Sequence, residues 1–239
     1  MQKKSVWIRI GDFFFKYRNG VFPVIWCALF LSFRPAASGL HDWLAIGVVF
    51  LGLLIRAAVI GLAYIKRGGL NKRVYADDLV TEGLFTLCRN PLYVGNMVIY
   101  LGVFLMHGNP YVVGLGMIGC GAIYESIIAA EEYFLRQKFG SAYDAYCREV
   151  PRWLMRLDRL PNVMKGMRFN VRRVFLKDYS TMANAGLTLL FIDLLRHFQA
   201  DDAAHFHRAA LTHLSFIFSL LLLALCISLA KRKKLFGSI

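Results

Sequence analysis

Charge is scarce in this sequence. Asp, Glu, Lys and Arg make up only 18% of its 239 residues, and acids are the scarcer sign, 15 against 29 Lys and Arg. A soluble domain carries about 25% charged and roughly 45–50% apolar residues. Here 57% are apolar, more than a water-facing fold of this length can hide. Disorder and collagen-like structure are excluded on the same grounds. Cysteine is too sparse for a disulfide scaffold: Cys27, Cys88, Cys120, Cys147 and Cys226 are odd in number and lack any C-x-x-C spacing, so no zinc site is indicated. The six histidines show no ligand spacing, with His205 and His207 in a loop, and no metal is expected. There is no internal repeat or low-complexity stretch.

What is present is a set of apolar runs of membrane length, since a helix needs roughly 20 mostly apolar residues to cross the hydrocarbon layer. They are Val21 to Phe33, Trp43 to Ile65, Leu92 to Met106, Pro110 to Ala130, Ala183 to Leu195 and Leu211 to Ala230. The expected fold class is an all-α polytopic membrane bundle of about six transmembrane helices. Charge placement supports this, because short cytoplasmic loops are rich in Lys and Arg. If both termini are cytoplasmic, only Arg34, Arg196 and Arg208 fall in outer loops and Arg56 within a run; Lys66, Arg67, Lys72, Lys165, Lys233, Lys234 and the rest lie inside. The basic excess is then a topology signal plus attraction to anionic membrane lipids, and no nucleic-acid partner is expected. Basic residues followed by an apolar stretch and Ala36-Ala37-Ser38-Gly39 also look like a leader, but cleavage there would remove the first run and spoil the charge pattern.

The chain divides into an interfacial segment at 1–20, a core with four spans at 21–160, and, at 161–239, a basic surface helix with two further spans. The surface helix is expected over Met164 to Tyr179, where Lys and Arg alternate with Met, Phe and Val.

Two polar clusters flank the runs between 92 and 130. One reads Asp77-Asp78-Leu79-Val80-Thr81-Glu82-Gly83-Leu84-Phe85, then Arg89-Asn90-Pro91-Leu92-Tyr93-Val94-Gly95-Asn96. The other reads Glu131-Glu132, then Phe139-Gly140-Ser141-Ala142-Tyr143-Asp144-Ala145-Tyr146 and Val150-Pro151-Arg152. A hairpin at His107-Gly108-Asn109-Pro110 brings Arg89 to Tyr93 back beside Glu131 and Glu132 at one membrane face. Such a pocket offers carboxylates for a cation, an arginine for an anion and aromatic walls for a flat ring.

Over about residues 43 to 153, the order and spacing of these motifs resemble the integral-membrane methyltransferases of the isoprenylcysteine carboxyl methyltransferase and phospholipid N-methyltransferase superfamily. The resemblance implies an S-adenosylmethionine pocket, methyl transfer to a lipid-like acceptor, and cofactor contacts from Asp77, Asp78, Leu79, Val80, Phe85, Arg89, Asn90, Pro91, Leu92, Tyr93, Glu131 and Glu132. No catalytic residue is assigned. Three positions depart from the pattern: Asn90 stands where histidine is usual, Phe85 where tyrosine is usual, and Ile127 where the isoprenylcysteine enzymes resemble one another in an arginine. The last argues against a prenylcysteine acid as acceptor. The same Arg-x-x-x-Tyr-x-Gly and Tyr-x-x-Tyr pattern resembles NADPH-dependent sterol reductases, and a non-catalytic membrane scaffold is a third reading.

Bland roles compete with these. Adjacent glutamates commonly end a helix in solvent, Gly95 suits close helix packing, Tyr143 and Tyr146 suit an interfacial aromatic belt, and Arg152 suits a lipid-phosphate anchor. Arg56 lies within an apolar run, where an ionisable group pairs or lines a polar cavity. Glu125 is its nearest partner by depth, and the two are expected either to pair or to bind an acceptor headgroup.

Overall fold

The computed structural model describes residues 4–62, 68–70, 73–164, 168–199 and 203–232. The end of the expected second apolar run at 63–65, the basic residues Lys66, Arg67 and Lys72, residues 165–167 of the expected surface helix, and the basic end at 233–239 lie outside these. The helices are α1 (Val6–Ser32), α2 (Leu40–Leu62), α3 (Pro91–His107), α4 (Pro110–Phe139), α5 (Ser141–Glu149), α6 (Leu160–Met164), α7 (Val171–Gln199) and α8 (Ala203–Arg232). The fold is all-α in class, as expected. A short antiparallel hairpin, β1 (Gly68–Leu70) with β2 (Arg73–Ala76), precedes the first polar cluster.

Among the described residues, three helices are long and apolar enough to cross a membrane: α2, α4 and the part of α8 from Ala210 to Lys231. The apolar α3 is shorter. α1 and α7 each join two segments that the sequence reads separately. α1 carries the expected interfacial segment, from Val6 onward, straight into the first apolar run, with Pro23 inside the helix. α7 begins at Val171, so the basic residues up to Lys177 form its first turns rather than a separate surface helix.

The α3–α4 reversal follows from its four residues. Gly108 adopts φ +76° and its N–H donates to the Phe104 carbonyl, 3.2 Å; the Asn109 side chain accepts from the Tyr111 N–H, 3.0 Å; Pro110 opens α4. α2 and α3 pack through a small-residue seam. A Cβ on Gly95 would stand 2.6 Å from Arg56 Cγ, and one on Gly102 would stand 2.6 Å from the Val49 backbone nitrogen, so only glycine permits this approach. α1 packs on α4, α7 on α2, α3 and α8. Between them, Phe22, Trp26 and Phe30 of α1 meet Tyr100 and Phe104 of α3 and Tyr124 of α4 in an aromatic layer.

Candidate active site

A cavity of about 820 Å³ opens among α1, α3, α4, α7 and the segment 74–92. Of the twelve residues the sequence assigns to a cofactor, eleven line it: Asp78, Leu79, Val80, Phe85, Arg89, Asn90, Pro91, Leu92, Tyr93, Glu131 and Glu132. Asp77 is exposed and is not among the wall residues; its carbonyl accepts from Lys138 Nζ at 3.1 Å.

The adjacent glutamates take different environments because successive helix positions face about 100° apart. Glu132 is buried and clamped. Arg152 donates to both its oxygens (Nε 3.0 Å, Nη2 2.7 Å) and Arg89 Nη1 stands 3.0 Å away. Glu131 accepts from the Tyr93 hydroxyl at 2.8 Å, so the α3–α4 hairpin brings the segment Arg89 to Tyr93 beside the glutamate pair as expected. Neither glutamate is a solvated helix end. Arg89 also donates from Nη1 to Cys147 Sγ, 2.8 Å, while its Nε is buried with no hydrogen-bond partner.

Residues 141–156 form a strap over the segment 85–90. The Tyr146 hydroxyl donates to the Phe85 carbonyl (2.7 Å), the Arg89 N–H to the Pro151 carbonyl (2.9 Å), Asn90 Nδ2 to the Arg152 carbonyl (3.1 Å) and the Arg156 N–H to the Leu87 carbonyl (3.0 Å). Tyr143 and Tyr146 therefore line the cavity instead of a membrane interface, and burial pushes both phenols above their ordinary pKa. Arg152 is likewise no lipid anchor: besides Glu132 it binds Glu125 at 2.9 Å, and its hydrogen bonds to Glu132 hold its pKa above the usual guanidinium value.

Arg56 and Glu125 do not pair. Glu125 turns to Arg152 and Trp153, and it is not among the wall residues. Arg56 lines the cavity, yet its guanidinium is held by Asp178, a wholly buried carboxylate on α7, by Asn96 Oδ1 at 2.6 Å and by Thr181 Oγ1 at 3.3 Å. Ion pairing this complete leaves it little capacity for a phosphate or carboxylate headgroup.

Reading the motifs alone misses two walls. Arg18, Asn19, Phe22 and Trp26 of α1 and Ser180, Thr181, Asn184 and Thr188 of α7 line the cavity. A signal for the second exists: these four polar residues recur at helical spacing within an apolar stretch and so share one face.

Residues 42–142 match the phospholipid methyltransferase family. The chain is 24% identical over 150 residues to a nickel-cobalt-cadmium resistance protein of Alcaligenes xylosoxydans xylosoxydans, covering 62% of this chain and 69% of that protein. It is 28% identical over 135 residues to the protein-S-isoprenylcysteine O-methyltransferase of Schizosaccharomyces pombe (54% and 56%), and 31% identical over 115 residues to protein-S-isoprenylcysteine O-methyltransferase A of Arabidopsis thaliana (46% and 58%). No solved structure gives a significant match.

Proposed function

We propose, on the premise that this chain belongs to the integral-membrane methyltransferase superfamily of the phospholipid and protein-S-isoprenylcysteine methyltransferases, that it uses S-adenosylmethionine to methylate a lipid or lipidated small molecule. The observation that carries this reading is the division of labour in the glutamate pair, with Glu132 neutralised by arginines and Glu131 held at the cavity wall by one tyrosine hydroxyl.

The wall residues fit the cofactor chemically. Glu131 supplies a carboxylate for an ammonium, the Arg89 guanidinium a positive charge for a carboxylate, and Phe85, Leu79 and Leu92 apolar contact for a purine. S-adenosylmethionine would supply a methyl group activated by a sulfonium. The protein's part is then mainly alignment, an effect worth roughly 7–11 kcal/mol when both reactants are held in register. The strap 141–156 holds the segment 85–90 in place through backbone contacts, so the aromatic and arginine side chains of that segment meet the cavity in fixed orientation.

In the bilayer, α1, α2, α3, α4, α7 and α8 form six spans with both termini and the cofactor residues on the cytoplasmic side, supported by the distribution of Lys and Arg. Isothermal titration of the detergent-solubilised protein with S-adenosylhomocysteine and, separately, NADPH tests the reading. Binding of the former alone is expected. Binding of NADPH alone would replace it with a reductase, and binding of neither with a non-catalytic role.

A further inference from the structure

Arg18, Arg56 and Arg89 line the cavity, and they differ in what neutralises them. Arg89 faces Glu132 at 3.0 Å, and Arg56 is held by the buried Asp178. Among the described residues, Arg18, half-buried on α1, has no carboxylate at ion-pair distance and no hydrogen bond. Its guanidinium carbon stands 4.6 Å from the centre of the Phe15 ring, a contact that leaves its N–H donors unused. It also lies outside the residues 42–142 matched to the family.

The acids of the wall are Asp78, Glu131 and Glu132. Asp78 is exposed, and Glu132 belongs to Arg89 and Arg152. That leaves Glu131. The charge of Arg18 acts on Glu131, Tyr93 and Tyr124, yet from beyond ion-pair distance. The wall therefore carries one cation and one anion within mutual range but not in contact. A positive charge bound at Glu131 cancels that carboxylate and leaves Arg18 as the uncompensated charge, and a charge held away from bulk water calls for a counter-ion.

What lies beyond Arg18 is apolar. Phe22 and Trp26 follow it on α1 at four-residue spacing, reaching about 12 Å along the helix, and both line the cavity, as does Phe191 of α7. We propose that Arg18 anchors the head of the acceptor: it seats a carboxylate or phosphate at the end of an amphiphile whose tail runs along Phe22 and Trp26, and it holds that anion best once a positive charge occupies Glu131. The cofactor's ammonium is that charge, so the cofactor prepares the seat. The order of filling rests on the methyltransferase reading, whereas the seat itself does not. An anion placed there brings no proton that a base would have to remove.

The test uses the full chain in a non-ionic detergent and three probes with one tail, hexadecanoate, hexadecyl phosphate and hexadecyltrimethylammonium, their occupancies compared by native mass spectrometry. Both anions are expected to bind roughly tenfold or more tightly than the ammonium. Arg18→Gln breaks no hydrogen bond within the protein, so it separates recognition from folding; it should weaken both anions roughly tenfold or more and leave S-adenosylhomocysteine bound at least as tightly as before. Lys16→Gln removes an exposed cation of the same helix and should change neither. Saturating S-adenosylhomocysteine should tighten the anions about fivefold or more, and by linkage they should tighten it by the same factor. Glu131→Gln should tighten the anions without any cofactor.

Equal or tighter binding of the ammonium, unchanged anion binding in Arg18→Gln, or an equal loss in Lys16→Gln overturns the seat. Competition between S-adenosylhomocysteine and the anions, or weaker S-adenosylhomocysteine binding in Arg18→Gln, gives Arg18 to the cofactor and overturns it as well. Displacement of hexadecyl phosphate by equimolar inorganic phosphate makes the ligand a free anion and overturns the amphiphile. Unchanged anion binding in Glu131→Gln overturns the coupling. Failure of S-adenosylhomocysteine to bind while both variants behave as stated overturns the cofactor reading and leaves the seat standing.

Discussion

Replacing Glu132 with glutamine should unfold the site, whereas the same change at Glu131 should not. The Glu132 side chain is 5% exposed and is approached by Arg152 at 2.7 Å, Arg89 at 3.0 Å and Arg136 at 3.9 Å. Removing one partner of a buried pair typically costs about 3–5 kcal/mol, since it leaves a desolvated charge behind. The three arginines share that loss unequally. Arg152 is 35% exposed and keeps Glu125, and Arg136 is 51% exposed and keeps Asp144, so water and the remaining carboxylates compensate both. Arg89 is 13% exposed and would keep only Cys147. The expected destabilisation is therefore near the lower limit, about 3 kcal/mol, or an apparent melting temperature lower by roughly 6–12 °C for a chain of this size. Thermal unfolding in detergent, followed by tryptophan fluorescence, measures it. Glu131→Gln keeps a hydrogen-bond acceptor for Tyr93 and should melt within about 2 °C of the parent protein. A Glu132→Gln protein as stable as the parent, with Glu131→Gln the weaker of the two, would refute the division of roles between the glutamates.

Glu131→Gln should instead weaken S-adenosylhomocysteine binding by about tenfold or more, the loss of one hydrogen bond to a charged group; the exposed Glu82→Gln should leave the isotherm unchanged, and equal effects at both would remove Glu131 from the site. Gly95→Ala places a Cβ 2.6 Å from Arg56 Cγ and 3.2 Å from the Gly52 carbonyl oxygen, so α2 and α3 must separate; a loss of about 1–3 kcal/mol in a denaturant titration is expected, and an unchanged midpoint would contradict the seam. Burial pushes the Cys88 thiol up to about 11. A raised pKa favours the neutral form, so at pH 8 roughly one molecule in a thousand carries the thiolate, and iodoacetamide should modify Cys88 only above about pH 10 or after unfolding. Prompt alkylation at pH 8, read by peptide mass spectrometry, would show the thiol to be open.

Several features of the site are local enough to be legible in the sequence. The reversal at His107 to Pro110 is written in its residue types, because a left-handed glycine, an Asn cap and an initial proline each act over a few residues. That reversal alone places Tyr93 against Glu131. The lengths of α2 and α4 follow from apolar content in the same way, since crossing a hydrocarbon layer sets a minimum run. The boundaries of α1 and α7 were less legible. Composition changes from basic and amphipathic to apolar along each, yet a helix continues through such a change while its backbone bonds are satisfied, so two expected elements became one.

Partners across the chain could not be read this way. Depth along the helices pointed Arg56 toward Glu125, but depth does not say which face a residue presents, and the structure pairs Arg56 with Asp178 and Glu125 with Arg152. The same holds for Arg152, Tyr143 and Tyr146, whose composition suits a membrane interface but whose place in the strap turns them inward. The sequence by itself determined the membrane-length α2 and α4, the α3–α4 hairpin and most of the residues that line the cavity around 78–93, because short-range geometry and transfer from water act on each segment separately. Only the tertiary structure decided which glutamate is clamped by arginines and which is held by Tyr93, and that α7 supplies the far wall, because those outcomes depend on how helices distant in sequence rotate to bury charge together.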